Sequence, residues 1–244
     1  MIRVNFRVLS LDKQISIIES FLTDYNNMSL SIANYFGFDF DEPSTRDVNK
    51  MKIIKDKIKT TYNERLKDMK NCCSRFQKIW DEKCKFINNA FVNIFDKEYN
   101  YECNAYVNLN PIWPRFLESK SFHVNLDASE DYLIMSSVHE ILHFIWFDVW
   151  KNNFQSMDKR EYDYPNIPWL ISEIAVEPLF RFSKLQTLAK TNPAYDYFYT
   201  DKIEGKIIVD IANDIYLKSK DINEFQVKLY DYFKNNKETN KLIK

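Results

Sequence analysis

Apolar and polar residues alternate at the start of the chain. Ile2, Val4, Phe6 and Val8 are separated by Arg3, Asn5 and Arg7, the period of a half-buried strand. From Asp12 to Phe36 the apolar positions Ile15, Ile18, Phe21, Leu22, Tyr25 and Met28 take helical spacing, and Gly37 to Pro43 predicts an acidic, aromatic loop. Ser44 to Asp47 has the form of a helix start, a hydroxyl cap with an acid three residues on. The helix that follows carries Met51, Ile54, Ile58, Tyr62, Leu66 and Met69 on one side. Another is predicted from about Ser74 to Phe95, burying Phe76, Ile79, Trp80, Ile87, Phe91 and Ile94. Alternation returns at Cys103, Ala105, Val107 and Leu109, a strand ended by the Asn110-Pro111 and Trp113-Pro114 steps. Ser121 to Leu126 reads as a second short strand.

Asp127-Ala128-Ser129-Glu130 is a capping box, so the next helix is expected to begin there. Ile134, Val138, Ile141, Leu142, Ile145 and Val149 form one face of it, and Met135, Trp146 and Trp150 widen the apolar surface. A helix apolar nearly all round is a buried one, so its polar exceptions need partners. Those exceptions are His139, Glu140 and His143 within His139-Glu140-Ile141-Leu142-His143. Four-residue spacing stacks both imidazoles on one face, where they can reach one metal ion. Glu140 projects beside them, where a carboxylate can take a proton from an activated water. With 3 His and 15 Glu in 244 residues, chance placement gives roughly 0.002 such pentapeptides per chain. The bland alternative is a histidine pair satisfied by core hydrogen bonds.

Past a polar, aromatic loop (Lys151 to Tyr164), Pro168 suits the first turn of a further helix. On it Glu173 and Glu177 share a face among Ile171, Ile174, Val176 and Leu179. Two inward carboxylates are costly unless paired or ligated. A tetrahedral catalytic zinc takes three protein ligands, so the third is sought here. Helices from about Thr200 to Lys218 and Asp221 to Asn235 complete the chain.

Composition narrows the function. Hydrophobic residues at 45% and aromatics at 16% indicate a packed globular protein, and only 2 Gly favour a helix-rich fold over many tight hairpins. A net charge of −1 leaves no footprint for nucleic acid, and the Lys-rich side between Arg46 and Lys70 is interleaved with acids. Cys72, Cys73, Cys84 and Cys103 match no paired Cys-x-x-Cys site, which favours a reduced, cytoplasmic setting. No apolar run approaches the ~20 residues of a membrane span, and the N-terminus lacks a signal-peptide core.

The His-Glu-x-x-His helix followed by Glu173-x-x-x-Glu177 resembles the gluzincin branch of the zincin metallopeptidases, the thermolysin-like enzymes. The likeness spans about Cys103 to Phe182. It implies a mostly helical α+β fold, a zincin-like catalytic domain with a small sheet and added N- and C-terminal helices. The chain would divide into residues 1–100, a metal-site core at 101–190 and helices at 191–244, as one compact unit. It further implies zinc held by His139, His143 and Glu173, Glu140 as general base, and Glu177 orienting His139. Two features depart from the family pattern. Glu177 stands where the family has Asp, and 29 residues separate His143 from Glu173, a longer gap than usual. Pro178 can also kink the helix beside Glu177, which leaves open that Glu177 is the ligand and Glu173 its support. Asn104-Ala105-Tyr106 falls where the family has an edge strand that pairs with extended substrate. Tyr197 or Tyr199 would be the oxyanion donor, with His123 either a helper or a surface strand histidine. The implied activity is peptide-bond hydrolysis on a peptide or protein substrate, without nucleic acid or membrane and with the oligomeric state open. Its rivals are a catalytically silent zinc module and a narrow regulatory protease.

Overall fold

A computed structural model describes residues 1–24, 32–37, 48–109, 113–154 and 158–242. The Phe38–Pro43 part of the expected acidic loop, the helix start at Ser44–Asp47 and the Asn110-Pro111 step lie outside them. The fold is α+β and mostly helical, with a small mixed sheet. It divides into two compact units: Arg3–Glu82 with Glu102–Leu133, and Met1–Ile2, Lys83–Tyr101 and Ile134–Lys244. Two helices pass from one unit into the other.

The first unit holds the sheet, ordered β1-β2-β4-β3. β1 (Arg3–Val8), β2 (Glu102–Asn108) and β4 (Ser121–Asn125) are parallel, and β3 (Arg115–Phe116) runs antiparallel to β4. In register, Phe6 lies beside Ala105 and Ala105 beside Phe122, one apolar row of a buried face. α1 (Leu11–Asp24) follows β1, and α2 (Val48–Phe95) precedes β2. Two helices were expected in the α2 region. One forms, because Lys70 to Cys73 contain neither Gly nor Pro and the apolar stripe keeps phase from Ile54 through Met69, Phe76 and Trp80 to Phe91. Gln77 of α2 accepts from Phe6 N (3.1 Å) and donates to Val4 O (3.0 Å). A side-chain amide thus satisfies part of the outer edge of β1, where another strand would otherwise pair.

The second unit is helical. α3 (Glu130–Asn153) begins three residues after Asp127: its cap is Ser129, whose hydroxyl accepts from Tyr132 N (3.3 Å), while Asp127 is paired with Arg65 (2.9 Å) in the first unit. α4 (Ile167–Arg181) has Pro168 in its first turn and runs on through Pro178. The helix expected from Thr200 starts later. A two-residue turn at Glu204 and Gly205, both at positive φ (49° and 79°), joins the strands β5 (Lys202–Ile203) and β6 (Lys206–Ile207). Only then come α5 (Ile208–Leu217) and α6 (Ile222–Asn235), the latter capped by Asp221, which accepts from Glu224 N at 2.8 Å. α3 packs on α6 through Trp146 and Phe225, and Gln226 donates to Trp146 O at 3.0 Å. Among the described residues no helix is long and apolar enough to cross a membrane.

Candidate metal centre

The middle of α3 is buried on nearly every side: Val138, Ile141, Leu142, Phe144 and Ile145 are each at most 1% exposed. That packing fixes the helix around His139 and His143, whose rings meet with centroids 4.7 Å apart. α4 is equally buried and brings Glu173, itself 1% exposed, against them. Nε2 of His143 lies 2.9 Å from Nε2 of His139, and Glu173 Oε2 lies 3.2 Å and 3.3 Å from the His139 and His143 nitrogens.

The tautomer of His139 follows from its other nitrogen. Nδ1 sits 2.8 Å from the carbonyl oxygen of Pro193, which can only accept, so Nδ1 carries the proton. In the neutral ring the lone pair is then on Nε2, facing His143 and Glu173. Electron-rich atoms at such distances repel one another unless a cation or shared protons lie among them. Ligand atoms around a tetrahedral ion with bonds near 2.0–2.1 Å stand roughly 3.3 Å apart, which is the spacing of this triangle. Ligating atoms of His139, Glu140 and His143 also lie within 4.8 Å of one another, so this group could hold a metal ion. Of the two carboxylates on α4, Glu173 is the one in direct contact with both imidazoles. Burial pulls the His139 imidazole toward neutrality, but the hydrogen bond to Glu173, the charges of Glu140 and Glu173 and the Pro193 carbonyl outweigh it. The net displacement is upward.

Glu177 lies elsewhere than the family resemblance implies. Its carboxylate is 2% exposed and touches neither histidine. One oxygen accepts from Arg181 Nε (2.5 Å) and the other from the Tyr199 hydroxyl (2.5 Å). A backbone carbonyl therefore takes the place at His139 Nδ1 that a carboxylate was expected to fill. Both Glu177 oxygens are thus engaged by Arg181 and Tyr199, whereas Glu173 meets the two imidazoles.

The two tyrosines separate in the same way. Burial, then the hydrogen bond to and charge of Glu177, push the Tyr199 hydroxyl upward, so it stays protonated as a committed donor. Tyr197 is also raised, by burial first and then by the charges of Glu173, Tyr164 and Asp201. Its hydroxyl thus feels the charge of Glu173, and it has no hydrogen-bond partner among the described residues. Trp169, one turn before Glu173 on α4, packs beside Tyr164 and Tyr195 (centroids 5.1 and 6.2 Å) and adds an aromatic border.

Asn104 and Ala105 are on β2, which is hydrogen-bonded to β1 on one side and β4 on the other. It is an interior strand, so its backbone has no free edge for a peptide, and Ala105 is fully buried. His123 is not a surface histidine either. It is 2% exposed, with Nδ1 2.7 Å from Asn108 Nδ2, and burial followed by the charge of Lys13 lowers it to about 4. Pro193 and Arg181 escape sequence reasoning. Arg181 had a signal, its place as the i+4 partner of Glu177, whereas a backbone carbonyl leaves no side-chain signal.

The fold and site together define a mostly helical α+β protein whose buried His-Glu-x-x-His group could hold a metal ion. No protein-family model, no curated protein and no solved structure matches the chain.

Proposed function

We propose that this chain is a zinc-dependent peptidase in which His139, His143 and Glu173 hold the metal and Glu140 is the general base. The observation that carries the reading is the convergence of two Nε2 atoms and one carboxylate oxygen within 3.3 Å. Two imidazoles and a carboxylate form a donor set suited to catalytic zinc, with the fourth position left to water. What zinc supplies when bound is Lewis acidity: it polarises a carbonyl and lowers the pKa of water toward ~7.

The remaining chemistry belongs to the chain. Glu140, next to His139 on α3, accepts the proton of the attacking water and delivers it to the leaving amine. Tyr197, protonated and electrostatically coupled to Glu173, donates to the developing oxyanion. Tyr199 is engaged by Glu177 and plays no such part. The substrate class is a peptide or protein, the net charge of −1 offering nothing to nucleic acid. Cys72, Cys73, Cys84 and Cys103 form no disulfide among the described residues, and we assign the activity to a reducing, cytoplasmic setting.

The test compares parent and Glu140→Gln proteins at equal zinc occupancy on a fluorogenic peptide library. Gln keeps the size of Glu and removes its basicity, so zinc is retained while hydrolysis falls by the ~10²–10⁴-fold attributed to a general base. Equal turnover in the two proteins would place the chemistry elsewhere. Zinc binding without turnover in the parent would favour the silent module.

A further inference from the structure

We infer that Tyr199 and Glu177 are positioning residues for the metal centre, acting on His139 through the single peptide group that joins Pro193 to Ala194. The inference deepens the zinc reading and shares its ligand assignment. Its carrier is a continuous set of contacts. His139 Nδ1 donates to the Pro193 carbonyl (2.8 Å), and the N–H of the same peptide group, on Ala194, donates to the Tyr199 hydroxyl oxygen (3.4 Å). The Tyr199 hydroxyl in turn donates to Glu177 Oε2 (2.5 Å), and Arg181 Nε holds the other Glu177 oxygen (2.5 Å).

The direction of every donor in this set is fixed by chemistry. The Pro193 oxygen can only accept, so His139 donates. The Ala194 N–H can only donate, so the tyrosine oxygen accepts. The hydroxyl, having one proton, gives it to the carboxylate. Each dipole therefore points the same way, from the histidine toward the buried negative charge. The peptide group is a planar, resonance-coupled unit, so a hydrogen bond made by its N–H strengthens its carbonyl as an acceptor. Glu177 thereby supports the Nδ1–H tautomer of His139 without touching it, and turns Nε2 toward His143 and Glu173. A direct carboxylate partner would do the same in one step. Here a tyrosine and a peptide group do it in two. The arrangement also accounts for burial of Glu177 at 2% exposure, since its charge is balanced by Arg181 and engaged by an oriented hydroxyl.

Tyr199→Phe keeps the buried ring and deletes only the link. Glu177→Gln keeps an acceptor for the hydroxyl and removes the charge. Two readouts are taken on each full-length protein. One is zinc affinity by competition with a chelator. The other is the His139 tautomer in the metal-free protein, from ring nitrogen chemical shifts read at alkaline pH, where the ring is neutral. Zinc affinity falls ~10–100-fold in Tyr199→Phe, the range for loss of an outer-shell partner, and by less in Glu177→Gln. The Nδ1–H tautomer, dominant in the parent, becomes mixed in Tyr199→Phe. Far-UV circular dichroism confirms that each variant is folded, and Glu177→Gln carries the test should Tyr199→Phe not fold. An unchanged tautomer overturns the proposal whatever the affinity does, because any effect would then bypass His139. A parent that binds no zinc overturns the metal reading, while the tautomer comparison still decides whether the relay exists.

Discussion

Among single residues, His123 shows how burial alone decides chemistry. A strand histidine with Tyr106 and Phe116 rings beside it (centroids 5.8 and 5.6 Å) and Asn108 on Nδ1 is held neutral, its pKa lowered to about 4 from 6.5. The unfolded chain takes up its proton as pH falls through about 6.5, and the folded chain does so only near 4. Between those values the unfolded state binds more protons, so stability falls as pH falls across that window. The ceiling is about 3 kcal/mol for one fully buried ring. Urea unfolding at about pH 7 and about pH 4.5 should show a steeper loss for the parent than for His123→Gln. Parallel losses would mean that His123 is not kept neutral. The same contrast separates the tyrosines: Tyr199 is committed to Glu177, and Tyr197 feels the charge of Glu173.

Elements set the ligand choice. α3 supplies two imidazoles one turn apart, and α4 supplies the carboxylate that meets them, so the ion we propose bridges two helices. Glu140 belongs to the same helix as the histidines and is not needed for that bridge. Removing Glu173 should therefore release most of the zinc, whereas removing Glu140 should spare it. Elemental analysis after dialysis of Glu173→Ala and Glu140→Ala checks the ranking, and the opposite order would make Glu140 the ligand. Elements also explain what the periodicity hid. α2 runs unbroken through Ser74 because a capping residue starts a helix only where the preceding backbone leaves helical geometry, and nothing between Lys70 and Cys73 makes it do so. Further along, the Glu204-Gly205 turn stops an early start of α5 despite apolar spacing that suits a helix.

For the molecule as a whole, the proposed metal site would link zinc binding to folding. A site built from three residues, 34 positions apart at its widest, is not preformed in an unfolded chain, so binding free energy adds to folding free energy. With free zinc at about one hundred times its Kd, unfolding should cost about 2.7 kcal/mol more than in the metal-free protein. Thermal unfolding with zinc and with excess chelator measures this. His143→Ala should erase the difference, and a parent insensitive to zinc would argue against a specific site.

The sequence alone determined whatever depends on neighbours a few residues apart. A four-residue step on a helix stacks His139 over His143 and Glu173 over Glu177 in any surroundings, and a two-residue step puts Val4 and Phe6 on one face of a strand. Hydrophobicity all round α3 likewise announced its burial. Tertiary structure alone decided matters that need distant segments ordered together, since chain connectivity says little about which ones meet. It paired β1 with β2 across the whole of α2, making β2 an interior strand where an edge had been expected. It brought Pro193 to His139 from 54 residues away, and so gave Glu177 to Tyr199 and Arg181. The candidate metal ligands were legible because their geometry is local to two helices. Their supports were not, because a backbone carbonyl has no letter in the sequence and a buried carboxylate takes whichever donors the fold brings within reach.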